Sequence, residues 1–249
     1  MDKETYGLIG YPLGHSFSRK YFTEKFIHDN INAEYLNFEI ESVSGLKRII
    51  EENKFLKGLN VTIPHKQNVI PLLDELDETA SEIGAVNVIK ITHDVEGKIH
   101  LKGFNTDVTG FKGSISPMLE SWNKNALILG TGGVSKAINF ALKSLGIETL
   151  FVSRTPKDGA ITYKNINAET MNKYTVIVNA SPVGMFPYTD AAPEIPYEHI
   201  GKRHVIFDTI YNPPATLFMK LAEQRGAKVK SGMEMLIGQA EAAWKIWNS

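Results

Sequence analysis

The chain has 249 residues, of which 43% are hydrophobic and 22% are charged, and its net charge is -1. This near-neutral balance gives no support for binding to nucleic acid or to an anionic membrane. The absence of cysteine excludes disulfides and thiolate metal sites. No apolar run approaches membrane-spanning length, and the opening residues lack the basic and apolar parts of a signal peptide, so we expect a cytoplasmic protein. The length suits two domains of modest size.

Strands and helices alternate from Tyr6 onward, which is typical of parallel α/β units. A strand over residues 6–9 precedes a helix that we expect to start near Ser18, a favourable N-cap. The residues of this helix expected to face inward are Tyr21, Phe22, Phe26 and Ile27. The other elements predicted in the first half are strands over 34–40, 59–62 and 85–91, a helix over 44–53, a helical stretch near 74–83, and a hairpin turn over 94–98.

The second half has the rhythm of a doubly wound sheet, with strands predicted at 126–129, 150–152, 176–178, 205–207 and about 227–230. A glycine-rich turn, Gly130–Ala137, follows the first of these strands. The apolar spacing from Val134 to Leu145 then predicts a helix with one buried face, and Gly146 suits the left-handed residue that often ends a helix. The last predicted helix, over 234–247, is amphipathic.

Strand, glycine turn and helix together predict a dinucleotide site. Glycines let backbone amides approach a pyrophosphate, and a helix N-terminus offers unpaired N–H groups. The alternative, an ordinary tight turn, is less favoured in this context. Arg154 follows the second strand, where NAD sites carry an acidic residue, so its guanidinium favours the 2′-phosphate of NADP over NAD. Lys157 and Thr155 would add a positive charge and a hydroxyl to this phosphate site, whereas the negative charge of Asp158 disfavours a phosphate there.

Asn60–Lys66 is the densest polar cluster of the first half. Pro64 suits the first turn of a helix, which would place Lys66 near a helix N-terminus. The helix dipole disfavours a cation there, so the position hints at a role in proton transfer. Asp107 supplies a carboxylate that would pair with Lys66, although an aspartate at such a place is often only a helix cap. The seven histidines show no metal-ligand spacing, so we predict no metal site.

Eight segments carry a family likeness that runs from end to end of the chain: Gly10–Ser18, Asn60–Lys66, Gly84–Asn87, Gly103–Asp107, Gly130–Ala137, Asn179–Met185, Asp208–Pro213 and Gly232–Gln239. In these segments the chain resembles the shikimate dehydrogenases, NADP-dependent enzymes of aromatic amino-acid biosynthesis. The resemblance implies an α/β protein of two domains. Residues 1–107 with 235–249 would form an N-terminal substrate-binding and catalytic domain, and residues 108–234 a Rossmann-type, doubly wound NADP-binding domain.

The implied reaction is the reversible, NADPH-dependent reduction of 3-dehydroshikimate, a small-molecule substrate, to shikimate. Lys66 and Asp107 would be the catalytic pair. The substrate-binding residues that the resemblance implies are Ser16, Ser18, Asn60, Thr62, Lys66, Asn87, Asp107, Tyr211 and Gln239. The cofactor-binding residues that it implies are Gly130, Thr131, Gly132, Gly133, Val134, Ser153, Arg154, Thr155, Thr209 and Gly232. Both a monomer and a homodimer stay open.

Three positions depart from the family pattern. Arg19 follows the opening motif where the family usually has proline, and Ser153 and Asp158 replace the asparagine and the second arginine of its phosphate signature. These changes leave open a quinate/shikimate dehydrogenase with relaxed use of NAD and NADP. A non-catalytic NADP-binding sensor is a further alternative, but intact Lys66 and Asp107 speak against it, because a sensor need not keep a proton donor.

Overall fold

The computed structural model describes residues 3–14 and 16–249, so His15 of the opening motif lies outside the described residues. The chain divides into two compact units. The first comprises Met1–Thr106 together with Ala240–Ser249, and the second comprises Asp107–Gln239. The first unit is therefore built from both ends of the chain. Which unit binds substrate and which binds cofactor stays a prediction at this point.

The first unit contains a mixed sheet of six strands. Its strands and helices are β1 (Glu4–Gly10), α1 (Phe17–His28), β2 (Ala33–Glu39), α2 (Leu46–Glu52), β3 (Leu56–Val61), β4 (Glu75–Leu76), α3 (Glu78–Ile83), β5 (Val88–His93) and β6 (Ile99–Phe104), with 3-10 turns at Val43–Gly45 and Ile70–Leu72. The strand order is β2-β1-β3-β5-β6-β4. β1 is parallel to β2 and β3, whereas β5 is antiparallel to β3 and β6. The hairpin predicted at 94–98 joins β5 to β6 and is confirmed.

Apolar residues cover both faces of this sheet, because alternate side chains of a strand point to opposite sides. On one face Ile9 and Ile89 pack with the apolar residues of α2. On the other face Tyr6 and Val88 pack with Phe22 of α1 and with the end of the last helix. Apolar side chains therefore cover both faces of the sheet.

The second unit contains a parallel sheet of six strands. Its elements are α4 (Asp107–Ile115), β7 (Asn125–Leu129), α5 (Gly133–Ser144), β8 (Glu148–Ser153), β9 (Ala160–Thr162), α6 (Ala168–Lys173), β10 (Val176–Asn179), β11 (Val205–Asp208), α7 (Leu217–Glu223), β12 (Lys228–Ser231) and the first part of α8 (Met233–Trp247), with 3-10 turns at Ser116–Met118, Tyr163–Asn165 and Tyr197–His199. The strand order is β12-β11-β10-β7-β8-β9. This is the Rossmann order, in which the chain changes direction between the first and fourth strands of the unit. The doubly wound sheet predicted here is confirmed, and β9 is an addition that the sequence did not suggest.

Four local predictions are wrong. Ser16, not Ser18, caps α1 by accepting the Arg19 N–H at 3.2 Å, and Ile27 is 74% exposed. Residues 74–83 begin with the short strand β4 before α3 starts. Residues 62–69 form turns and no helix begins at Pro64.

Within the described ranges, no helix is long and apolar enough to cross a membrane.

Candidate functional site

A hydrogen-bonded network of side chains links α1, β2 and β3 of the first unit. Tyr35 on β2 is 3% exposed, and its hydroxyl donates to Asn60 Oδ1 on β3 at 2.6 Å. The same hydroxyl is hydrogen-bonded to the Ser18 side chain on α1. Burial raises the pKa of Tyr35 well above its usual value, so the phenol stays protonated and keeps its donor. Ser18 and Asn60, two residues predicted to bind substrate, are thereby tied to one fixed side chain.

The network continues from β3 toward the end of β6. Asn60 Nδ2 donates to the Asn87 carbonyl at 3.5 Å. Asn87 Oδ1 accepts the Thr106 N–H at 2.7 Å, and Asn87 Nδ2 donates to Thr106 Oγ1 at 3.0 Å. Asn105 Nδ2 donates to the Ala85 carbonyl at 2.9 Å. The backbone that leads into Asp107 is therefore held by two buried amide side chains.

The segment that carries Lys66 is fixed through its backbone and through His65. Thr62 N–H donates to the Ile9 carbonyl at 2.9 Å, and the Lys66 carbonyl accepts the Val86 N–H at 2.7 Å. His65 is 2% exposed, and its Nε2 lies 2.7 Å from the Ile40 carbonyl. Because no helix begins at Pro64, the dipole argument for Lys66 is wrong. The lysine is instead presented by a turn that follows β3.

Of the four other predicted substrate residues, three occupy helix ends or loops and one lies within a helix. Ser16 is the N-cap of α1 in the first unit. In the second unit, Asp107 is the first residue of α4 and is 6% exposed, and Tyr211 follows β11. Gln239 on α8 is 8% exposed, and its Nε2 donates to the Leu236 carbonyl at 3.1 Å. The structure thus joins Ser18, Asn60 and Asn87 by hydrogen bonds, and the roles of all these residues stay predictions.

In the second unit, the glycine turn lies between β7 and α5, at the point where the sheet changes direction. Gly130 has a φ of +120°, and a Cβ there would lie 2.9 Å from the Ala180 carbonyl oxygen, so only glycine fits. Gly132 caps α5 without a side-chain hydrogen bond to the first turn. A Cβ added at Gly132 or Gly133 would meet no described atom within 4 Å outside its own turn. The helix end is therefore open to a ligand.

This geometry fits the pyrophosphate of a dinucleotide. The first N–H groups of a 12-residue helix lack a side-chain cap, and the two glycines leave space beside them for an anion. The carboxyl ends of parallel strands at a topological switch point are also where open α/β sheets bind ligands.

Among the described residues, no group of three or more histidine, aspartate or glutamate side chains could hold a metal ion.

The loop after β8 carries the predicted phosphate contacts. Gly130 N–H donates to the Val152 carbonyl at 2.9 Å, so this loop starts beside the glycine turn. Ser153 Oγ accepts the Thr155 N–H at 3.4 Å and shapes the turn. Arg154 is exposed, and its charge reaches Tyr163 after β9, where it acts against the rise in the tyrosine pKa that burial causes. An exposed guanidinium next to the switch point is available to an anionic ligand.

Thr209 and Gly232 follow β11 and β12 and lie against each other. Gly232 N–H donates to the Ile210 carbonyl at 3.0 Å, and a Cβ at Gly232 would lie 2.2 Å from the Thr209 oxygen. Directly before Thr209 stands Asp208, the last residue of β11, which is 0% exposed. Burial raises the pKa of Asp208 to about 6, while hydrogen bonds from Thr216, Ile210 and Asn179 act in the opposite direction.

Sequence reasoning missed two groups that organise these sites. Tyr35 lies in a strand that the sequence predicted, but nothing in the pattern showed that its hydroxyl would meet Asn60. Asn179 and Asp208 stand at the starts of two family segments, yet they were given no role. A polar residue at the carboxyl end of a buried apolar strand is the signal that would have identified Asn179 and Asp208.

The sheet order, the glycine turn at its switch point and the second α/β unit define a class: two-unit α/β proteins with a Rossmann-type sheet. The family model described as the shikimate dehydrogenase substrate binding domain matches residues 8–89. A shikimate dehydrogenase (NADP(+)) from Aquifex aeolicus is 40% identical over 257 residues, which cover 98% of this chain and 91% of the relative. The chain belongs to the shikimate dehydrogenase family.

Solved structures agree with this assignment. Shikimate 5-dehydrogenase from Thermus thermophilus, in complex with NADP(H) and shikimate, is similar with a TM-score of 0.84 and 29% identity, covering 98% of this chain and 93% of that one. Quinate dehydrogenase from Corynebacterium glutamicum, in complex with NAD, is similar with a TM-score of 0.86 and 25% identity, covering 99% and 94%. The two-domain α/β fold expected from the sequence is confirmed.

Proposed function

We propose that this protein catalyses the reversible, NADPH-dependent reduction of 3-dehydroshikimate to shikimate. The observation that carries the proposal is the match, over 98% of the chain, to a relative named shikimate dehydrogenase (NADP(+)). The buried network of Ser18, Asn60 and Asn87 supports a polyhydroxylated substrate, because hydroxyl and amide side chains exchange hydrogen bonds with ring hydroxyls.

The first unit supplies most of the substrate contacts. Ser16 and Ser18 bind the substrate carboxylate with Tyr211, whereas Asn60, Thr62, Asn87 and Gln239 bond the ring hydroxyls. Tyr35 and Thr106 hold Asn60 and Asn87 in fixed orientations, so little side-chain entropy is lost on binding. This arrangement favours a substrate whose hydroxyls match the network over one that leaves a buried amide unpaired.

Bound NADPH supplies the hydride. Lys66 then holds a proton at its ammonium group and donates it to the carbonyl oxygen, on which negative charge develops as the hydride arrives. Asp107 accepts a hydrogen bond from the neighbouring ring hydroxyl and so fixes the orientation of the ring. The backbone bond from Val86 to the Lys66 carbonyl keeps the base of the lysine side chain in place during this step.

The second unit holds the cofactor. The N–H groups of the glycine turn, Gly130–Val134, bind the pyrophosphate, and Thr209 and Gly232 line the nicotinamide end. Arg154, with Ser153 and Thr155, binds the 2′-phosphate through its planar fork. Selectivity for NADP over NAD therefore depends on one exposed arginine.

The first test is an absorbance assay for reduced nicotinamide, in which the purified protein receives shikimate or quinate with NADP+ or NAD+. We expect fast reduction with shikimate and NADP+ alone. Comparable rates with quinate or NAD+ would assign the protein to the broader quinate/shikimate class. No reduction by folded protein that still binds NADP+ would favour the sensor alternative.

The role of Lys66 predicts that Lys66→Ala lowers kcat by about 10²–10⁴-fold, the range for loss of a general acid, with little change in shikimate binding. Lys57→Ala is the matched control, because Lys57 lies on β3 of the same unit and is exposed. We expect that control to keep the wild-type kcat. A Lys66→Ala variant with unchanged turnover would exclude the proton-donor role.

The phosphate assignment predicts that Arg154→Ala weakens NADP+ binding by about tenfold or more while NAD+ binding changes little, because a charged hydrogen bond to phosphate is lost. Arg225→Ala, which removes an exposed arginine elsewhere in the same unit, serves as the control. Calorimetric titration of both nucleotides measures the effect. Equal losses for NADP+ and NAD+ would contradict the assignment.

A further inference from the structure

Asp208 is a buried carboxylate that no step above uses. Oδ2 accepts a hydrogen bond from Thr216 Oγ1 at 2.7 Å, and Oδ1 accepts from Ile210 N and Asn179 Nδ2, each at 3.1 Å. These three neutral donors belong to three chain segments: the end of β10, the chain after β11, and the N-cap of α7. Burying a carboxylate costs solvation free energy, so its place here calls for a compensating role.

The bond to Asn179 orders the loop after β10. Asn179 Nδ2 also donates to the Val183 carbonyl at 3.2 Å, and its Oδ1 accepts the Ser181 N–H at 3.1 Å. The next residue, Ala180, donates its N–H to the Leu129 carbonyl at 2.9 Å. The Ala180 oxygen lies where a Cβ of Gly130 would point. The loop that Asn179 folds is therefore the wall against which the glycine turn packs.

The bond to Ile210 orders the other side of the same site. Ile210 N–H donates to Asp208, and the Ile210 carbonyl accepts the Gly232 N–H at 3.0 Å. Gly232 also packs against the Thr209 backbone at a distance that allows no side chain. One carboxylate thus fixes Thr209 and Gly232 on one side and the loop beside the glycine turn on the other.

We propose that Asp208 is a positioning residue for the cofactor, which holds the loop beside the glycine turn and the Thr209 and Gly232 backbone at the nicotinamide end in their binding conformation. It does so through Asn179, Ile210 and Thr216 and does not contact the cofactor itself. This inference rests on the NADP site proposed above. It predicts a selective defect, because in the described contacts no group of the 2′-phosphate loop after β8 donates a hydrogen bond to this carboxylate.

The test compares the binding of NADPH with that of 2′,5′-ADP, which has the adenosine and 2′-phosphate but lacks the nicotinamide half. Asp208→Ala removes the acceptor of all three donors, Thr216 Oγ1, Ile210 N and Asn179 Nδ2. We expect it to weaken NADPH binding by about tenfold to a hundredfold and to change 2′,5′-ADP binding by about twofold at most. Asp208→Asn keeps an oxygen for Ile210 and Asn179, so we expect it to bind NADPH within about threefold of wild type.

A second pair of variants covers the case in which Asp208→Ala does not fold. Thr216→Val removes the donor to Oδ2, and Thr175→Val is its matched control. Thr175 is likewise buried, but it precedes β10 and accepts a hydrogen bond from Asn123 at the opposite ends of the strands. We expect about threefold to tenfold weaker NADPH binding for Thr216→Val, unchanged 2′,5′-ADP binding, and no change in either ligand for Thr175→Val.

The outcomes separate this inference from the proposed function. If the wild-type protein binds neither NADPH nor 2′,5′-ADP, the NADP site itself is wrong. If the wild type binds both, and Asp208→Ala or Thr216→Val loses both equally or loses neither, the positioning role is overturned. A selective loss of NADPH binding, restored in Asp208→Asn, supports it.

Discussion

Trp247 offers the sharpest test of how the C-terminal end of α8 stabilises the first unit. It is 6% exposed near the end of α8, with ring centroids 5.0 Å from Tyr6 and 5.3 Å from Phe22. Its Nε1 donates to the Ile89 carbonyl on β5 at 3.1 Å. The indole also lies over Gly58 of β3, where a Cβ would approach it to 2.2 Å. Truncation of the Trp247 side chain would therefore leave a cavity between Tyr6, Phe22 and Gly58.

From this packing we expect Trp247→Ala to lower the free energy of unfolding by about 3–5 kcal/mol, the range for a buried aromatic truncation that leaves a cavity. Trp247→Phe keeps most of the ring but loses the bond to Ile89, so we expect a loss of about 1–2 kcal/mol. Phe55→Ala, at a position 47% exposed in the same unit, is the control and should lose about 1 kcal/mol or less.

Urea denaturation followed by far-UV circular dichroism measures all three variants. A loss below about 1 kcal/mol for Trp247→Ala would refute the reasoning, because it would mean that the C-terminal segment contributes little to the first unit. A Trp247→Phe variant as unstable as Trp247→Ala would assign the effect to the hydrogen bond rather than to the cavity.

Two further predictions use the same measurement. Gly58→Ala should destabilise the protein, because the added methyl group displaces the indole. The double variant with Trp247→Ala should lose less unfolding free energy than the sum of the two single losses, because both changes act on one contact. Full additivity would contradict this packing. The raised pKa of Asp208, about 6 against an ordinary 3.8, means that the folded state holds this proton more tightly than the unfolded state. Stability should therefore fall as pH rises from about 4 to about 6, by about 3 kcal/mol at most. Asp208→Asn should lack this part of the slope, and identical slopes in both proteins would show that Asp208 does not titrate there.

The elements that the sequence predicted well are those whose signal is local. The strands of the second unit other than β9 are short apolar runs bounded by polar residues, and each of these five was predicted within two residues of its observed ends. The glycine turn was found because a strand, glycines and a helix follow one another without a gap. The positive φ of Gly146 confirms the predicted end of α5.

The predictions that were wrong concern residues whose environment is set by distant parts of the chain. Ile27 fits the apolar spacing of α1 but lies on an exposed face, since α8 packs against Phe22 and Phe26 instead. Pro64 has the right residue type for a helix start, yet residues 62–69 are held by bonds to β1 and to Val86. Local propensity cannot anticipate such contacts, which form only when the sheet assembles.

The Ser153 departure from the family signature has a physical reading that bears on cofactor choice. Serine, like asparagine, accepts a hydrogen bond from the backbone two residues later, and Ser153 Oγ does so with the Thr155 N–H. The substitution therefore keeps the turn that presents Arg154. What remains changed in the loop is charge, because Asp158 stands where the family has a second arginine and the exposed Lys157 stands beside it. A 2′-phosphate would meet the Arg154 guanidinium and the opposite charges of Lys157 and Asp158, which nearly cancel. If selectivity for NADP over NAD is low, Asp158→Arg should therefore raise it and Ser153→Asn should leave it unchanged.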